Sequence, residues 1–234
     1  MSDDVRIALI AEGPTDKILI EAALTAILRR TFVLTFLQPE ETRPEMGTGW
    51  CGVLKWCHAF SRRDVPSLEV DPLLFLYDMI ILHIDADVAD KNYADCGQAC
   101  PQLAVALGWS ALPYATECPP PQNAASHMEK CLLSWLGLTN RGPRTVHCIP
   151  SKAMESWLST AVLPAGDPLL TAVECRFDLA DKLSILPKGR RIRKKSKPDY
   201  QASASRLQDQ WTRISAVCSQ AAAFEAQVAA VPLP

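Results

Sequence analysis

Residues 79–87 read Met79-Ile80-Ile81-Leu82-His83-Ile84-Asp85-Ala86-Asp87. The first six are almost wholly apolar, with no polar alternation. A run this short with both faces greasy fits a strand inside a parallel sheet, covered by helices on each side. It ends abruptly in two aspartates. In such sheets, ligands and chemistry gather beyond the carboxyl ends of the strands. Residues 5–11 (VRIALIA) repeat the pattern and run into Glu12-Gly13-Pro14-Thr15-Asp16. Two buried strands that each end in carboxylates predict an α/β fold with its site at those ends.

The remaining chain alternates in the same way. Lys17 to Arg30 places Ile18, Ala22, Leu24, Ile27 and Leu28 at helical spacing, with Pro14 and Asp16 suited to a helix start. Thr31–Leu37 reads as a strand, Gln38–Gly49 as a loop, and Val53–Phe60 as a helix. Pro72–Tyr77 reads as a short helix, Lys91–Pro121 as irregular, and Ala124–Leu138 as an amphipathic helix. Arg144–Ile149 is a further strand, ending at Pro150-Ser151-Lys152. Helices are expected over Ser151–Val162 and Leu179–Leu186, and one or two over Tyr200–Ala230. Buried strands alternating with helices give a mostly parallel sheet with helices on both faces.

The 234 residues carry a net charge of −2, and no apolar run is long enough to span a bilayer. The N-terminus lacks the basic and apolar regions of a signal peptide, so a cytoplasmic protein is expected. Nine cysteines, an odd number scattered along such a chain, argue against a disulfide framework. The spacing of Cys96, Cys100 and Cys118 is poor for structural zinc. Charge is distributed unevenly. Lys188, Arg190, Arg191, Arg193, Lys194, Lys195 and Lys197 crowd into ten residues, and removing them leaves −9 on the rest. A basic loop on an acidic body suits phosphate contact and steering of an anionic partner.

Glu12, Asp85 and Asp87 would be costly neighbours, because like charges raise one another's pKa unless a cation neutralises them. A hard divalent ion with oxygen ligands is the simplest resolution. A strand ending in an acidic turn is common, and Asp16 alone would serve as a helix-start residue. The two motifs together, each at a strand end, are more specific.

These residues resemble the Toprim domain of topoisomerases, bacterial primases, the maturation ribonuclease of 5S RNA, recombination mediators and the overcoming-lysogenization-defect nucleases. On that resemblance Glu12 corresponds to the first-motif glutamate and Asp85 and Asp87 to the DxD pair. Asp16 takes the place of a second acidic ligand used by the nuclease branch. The stretch from Ile149 to Leu158 is similar to a small residue-Glu-x-Trp-Leu segment of small stand-alone Toprim proteins, with Met154 where a small residue stands. Glu155 thereby becomes a ligand candidate for a second ion.

The resemblance implies a Rossmann-like Toprim fold over residues 1–165, followed by a basic loop and helical extension over 166–234. It implies a Mg²⁺- or Mn²⁺-dependent nuclease using two ions, in which one activates water and the other stabilises the leaving oxygen. Lys152 is the first choice for a lysine near the scissile phosphate, with Lys182 and Lys188 as alternatives. Nucleic acid is the expected partner, bound by the 188–197 run. Stand-alone chains of this kind resemble effectors of anti-phage defence, which implies an ABC- or SMC-like ATPase partner and leaves room for a homo-oligomer.

Other readings compete. A catalytically silent or partner-dependent regulatory subunit would share the motifs. A nucleotide-sugar glycosyltransferase would explain Asp85 and Asp87 through Mn²⁺ and a diphosphate, but gives Glu12 no role. A haloacid-type phosphatase would want Thr or Val where Ala89 stands. His83, His127 and His147 lie in or beside apolar runs and read as packed core residues, with His83 turned towards the acidic pair.

Overall fold

The computed structural model describes residues 4–40 and 44–234. Part of the expected 38–49 loop therefore lies outside the described residues. The strands are β1 (Val5–Ile10), β2 (Phe32–Gln38), β3 (Met79–His83) and β4 (Thr145–Cys148). The helices are α1 (Pro14–Leu28), α2 (Gly49–Ser61), α3 (Cys100–Ala106), α4 (Gln122–Leu136), α5 (Glu155–Val162), α6 (Leu179–Ser184), α7 (Lys197–Asp209), α8 (Trp211–Val217) and α9 (Ser219–Ala230). All strand pairs are parallel, in the order β2-β1-β3-β4. The protein is thus an α/β fold with a parallel sheet.

The lack of polar alternation in β1 and β3 now has its cause. Ile7, Leu9, Met79 and Ile81 pack against α1, α5 and α7–α9 on one face. Ala8, Ile10, Ile80 and Leu82 pack against α2 and α4 on the other. Pleating sends alternate side chains to opposite faces, and both faces are covered, so both sets must be apolar. The helix joining β1 to β2 lies on one face, and α2, leading from β2 to β3, lies on the other. The strand order therefore reverses between β1 and β3, which opens a crevice at their carboxyl ends.

Aromatic rings weld the C-terminal helices to the sheet. Trp157 of α5, fully buried, lies edge-on to Trp211 at 5.4 Å between ring centroids and beside Phe224 at 5.6 Å. Glu174 fixes the start of α9. It accepts the Ser219 N–H at 2.7 Å and the Gln220 N–H at 2.9 Å. At the sheet margin, the His147 N–H of β4 donates to Gln227 Oε1 of α9 at 2.9 Å. Among the described residues, no strand lies beside the outer edge of β2.

Four expectations need correction. Residues 72–77 form turns, not a helix. Asp71 accepts the Leu73 N–H on its side chain, and Arg63 clamps its carboxylate at 2.9 and 3.0 Å, so the backbone closes locally. The stretch 91–121 contains α3, preceded by a 3-10 turn over Tyr93–Cys96 with a side-chain capping box. The tail is three helices broken at Gln210 and Cys218, not one or two.

The cysteines are the fourth correction. Cys51 pairs with Cys96 and Cys118 with Cys175, their Cα atoms 5.3 and 5.5 Å apart, within bridging range. A residue count carries no information about which distant cysteines the fold brings together. The two bridges also remove Cys96 and Cys118 from any zinc set. Cys57, Cys100, Cys131, Cys148 and Cys218 are buried free thiols.

Candidate functional site

Glu12 lies just beyond β1 and Asp85 just beyond β3, on the two sides of the crevice. The Asp85 N–H donates to Glu12 Oε1 at 2.9 Å. Asp85 Oδ1 in turn accepts the Met154 N–H at 3.2 Å, at the start of α5. The segment 85–87 is laced to the end of β4: the Ala86 N–H donates to Pro150 O at 3.0 Å and the Asp87 N–H to Lys152 O at 3.1 Å. Glu155, in the first turn of α5, accepts the Tyr200 hydroxyl at 2.5 Å. Asp16 occupies the first turn of α1. The Gly49 N–H, opening α2, donates to Glu12 O at 2.8 Å, and its left-handed φ of 66° suits glycine. The positive ends of α1, α2 and α5 thus adjoin the acids.

The four carboxylates Glu12, Asp16, Asp85 and Glu155 share one electrostatic neighbourhood, half-buried at the crevice. Burial, then the charges of Glu12, Glu155 and Asp87, pushes the Asp85 carboxyl well up. Glu12 is pushed up by burial and by Asp16 and Asp87, against the pull of His83 and the Asp85 N–H. Burial, Asp85 and Glu155 raise Asp16 to about 7, with His83 opposing. Asp87 stands at the rim, where Lys91 lies 3.4 Å away and offsets part of the burial effect. His83 has no exposed surface, and its Nε2 lies 3.4 Å from Asp85 Oδ1 without hydrogen-bond geometry. Among the described residues, His83 is the histidine whose charge acts on Glu12 and Asp16.

Lys152 takes a left-handed φ of 59°, which is strained for a side-chain-bearing residue, and is buried. Its Nζ lies 3.2 Å from Asp90 Oδ2 and 4.1 Å from the Phe177 ring centroid. The ammonium is therefore directed to the Asp87 side of the cluster. Lys182 and Lys188 are exposed on α6 and in the following loop. Within the basic run, Arg193 grips Asp199 with two bonds of 2.8 Å, and Lys194 lies 3.4 Å from Asp181. Ile192 is buried and anchors the run, while Lys188, Arg190, Arg191, Lys195 and Lys197 are exposed. His127 is a satisfied core histidine, bonded to Ala111 O at 2.8 Å and stacked on Tyr114. His147 lies 3.3 Å from Glu129, away from the acids.

Sequence reasoning missed Tyr200 as the partner of Glu155, and Lys91 and Asp90 as partners of Asp87 and Lys152. The Lys91–Asp87 spacing of four was a readable signal. The Tyr200 pairing, 45 residues from Glu155, had none.

The donor set is all oxygen, which suits a hard divalent ion such as Mg²⁺ or Mn²⁺. The raised carboxyls are the strain that such an ion would relieve. Among the described residues, no three His, Cys, Asp or Glu groups converge closely enough to hold an ion. No helix among them is long and apolar enough to cross a membrane. The chain matches no protein-family model, no curated protein and no solved structure.

Proposed function

We propose that the protein is a divalent-metal-dependent phosphodiesterase acting on DNA or RNA, built on a Toprim-like site. The carrying observation is the bond from Asp85 N–H to Glu12 Oε1 across the β1/β3 crevice, with Asp16 and Glu155 in the same field. Glu12 and Asp85 would be the principal ligands of Mg²⁺ or Mn²⁺, and Asp16, Asp87 and Glu155 the additional ones. The chemistry such an ion would supply is activation of a water and stabilisation of the leaving oxygen. The chain's own groups do the rest. Tyr200 orients Glu155, the α5 N-terminus holds Asp85, and Lys152 brings positive charge to the Asp87 side. The exposed cations of the 188–197 run draw the phosphate backbone in.

The test is incubation of the purified protein with plasmid, single-stranded DNA and transfer RNA in Mg²⁺ or Mn²⁺. Cleavage that is lost on Glu12→Ala, on Asp85→Ala and with EDTA is expected. Cleavage that survives in the double variant rejects the site.

A second reading makes the chain dependent on a partner. In it, an ABC- or SMC-like ATPase of an anti-phage system completes the acidic site. Silence of the purified chain, relieved by such a partner, is the expected result. The nucleotide-sugar reading has less support, because it leaves Glu12 without a role.

A further inference from the structure

The cations of the basic run are not equivalent. Arg193 is matched by Asp199 and Lys194 by Asp181. Arg190 and Arg191 instead line a polar cavity of about 190 Å³, with Ser203 and Arg206 of α7 on its other wall and Val162 and Leu163 at the end of α5. Asp199 also borders this cavity. Its carboxylate is held well below the ordinary range by the Arg193 guanidinium, so its charge is already matched. No carboxylate among the described residues pairs with Arg190, Arg191 or Arg206. Arg191 is steadied by its Nε–H, which donates to Leu186 O at 3.2 Å and leaves the end of its fork free. Three arginines line this one cavity, and a guanidinium suits a phosphate, which takes paired N–H donors from a planar fork.

Its position matters as much as its charge. Helix α5 runs from Glu155 in the acidic site to Val162 at the cavity, and α7 runs from Tyr200, bonded to Glu155, to Arg206. At 1.5 Å of rise per residue, the step along α5 puts Val162, on the cavity wall, roughly 10 Å from Glu155. We propose that this cavity seats a backbone phosphate of the bound nucleic-acid strand, a few nucleotides from the bond presented to the acidic site. The cavity would thereby set how far along the strand the acids act. This proposal rests on the nucleic-acid reading of the acidic site.

The test is fluorescence anisotropy with a labelled single-stranded 12-mer of DNA and of RNA, in EDTA, over a salt series. Arg206→Ala should weaken binding about tenfold, and the log–log salt slope should fall by roughly 0.7, the value for one phosphate on a single strand. Arg206→Lys should recover part of the loss, and Lys130→Ala, on the opposite face, should change nothing. Melting curves establish that each variant is folded. Binding by Arg206→Ala within twofold of wild type overturns the proposal, as does a wild type that binds neither oligonucleotide. Inorganic phosphate and a mononucleotide serve as competitors. If they raise the melting temperature of wild type but not of Arg206→Ala, while oligonucleotide affinity is unmoved, the cavity holds free phosphate and the strand proposal fails. Loss of binding in Arg206→Ala alongside a wild type that cuts nothing upholds the cavity and rejects cleavage by the chain on its own.

Discussion

Asp16 gives the acidic site a signature in solution. Its carboxyl rises from an ordinary 3.8 to about 7. A group whose pKa is raised on folding contributes stability that is fully present below the unfolded value and is lost as pH climbs through the folded one. Metal-free protein should therefore melt at a lower temperature at pH 8 than at pH 5, and Asp16→Asn should flatten that slope. Mg²⁺ should raise the melting temperature more at pH 8, where the acids are ionised. Calorimetry showing no difference between the two pH values would count against this. Tyr200→Phe removes a hydrogen bond to a carboxylate and should cost about 1.5–3 kcal/mol. Glu12 and Asp85 were legible because an apolar strand that stops in a carboxylate marks its own end. Tyr200 was not, because its partner is set by how α7 lies on α5.

Helix boundaries follow the same division. Strongly patterned elements such as β1, β3 and α4 could be read within a few residues of their limits. Residues 72–77 could not, because a side chain of Asp71 competes for the backbone donors that a helix would use. Helix α9 owes its start to Glu174, 45 residues upstream of Ser219, which no local pattern reveals. Glu174→Ala strands those N–H groups and should cost about 1–3 kcal/mol. A chain of this size then loses roughly 2–4 °C per kcal/mol, readable in a thermal melt. Peptide mapping without reductant should recover the Cys51–Cys96 and Cys118–Cys175 pairs. Finding all nine cysteines alkylatable after unfolding without reductant would contradict them.

The molecule is one core split by a sheet, and its tail closes one half. Trp211, Ile214, Phe224 and Val228 are all buried in the cluster that contains Leu9 and Trp157. Cutting the chain after residue 165 would expose Trp157 and the adjacent strand face. Such a fragment should show no cooperative melt, and a sharp transition in it would show the tail to be dispensable. The tail's place was hidden in the sequence, because Ala- and Gln-rich helices announce their shape but not the surface they cover. The two margins of the sheet also differ in what they permit. At β4, Gln227 occupies the backbone donor of His147, so that side is closed to a newcomer. Among the described residues, β2 has no strand beside its outer margin, which leaves that margin open. If two copies of the chain ever join sheet to sheet, a two-fold pairing of β2 uses up both open margins at once. Growth then ends at a pair, and a fibre has nowhere to begin.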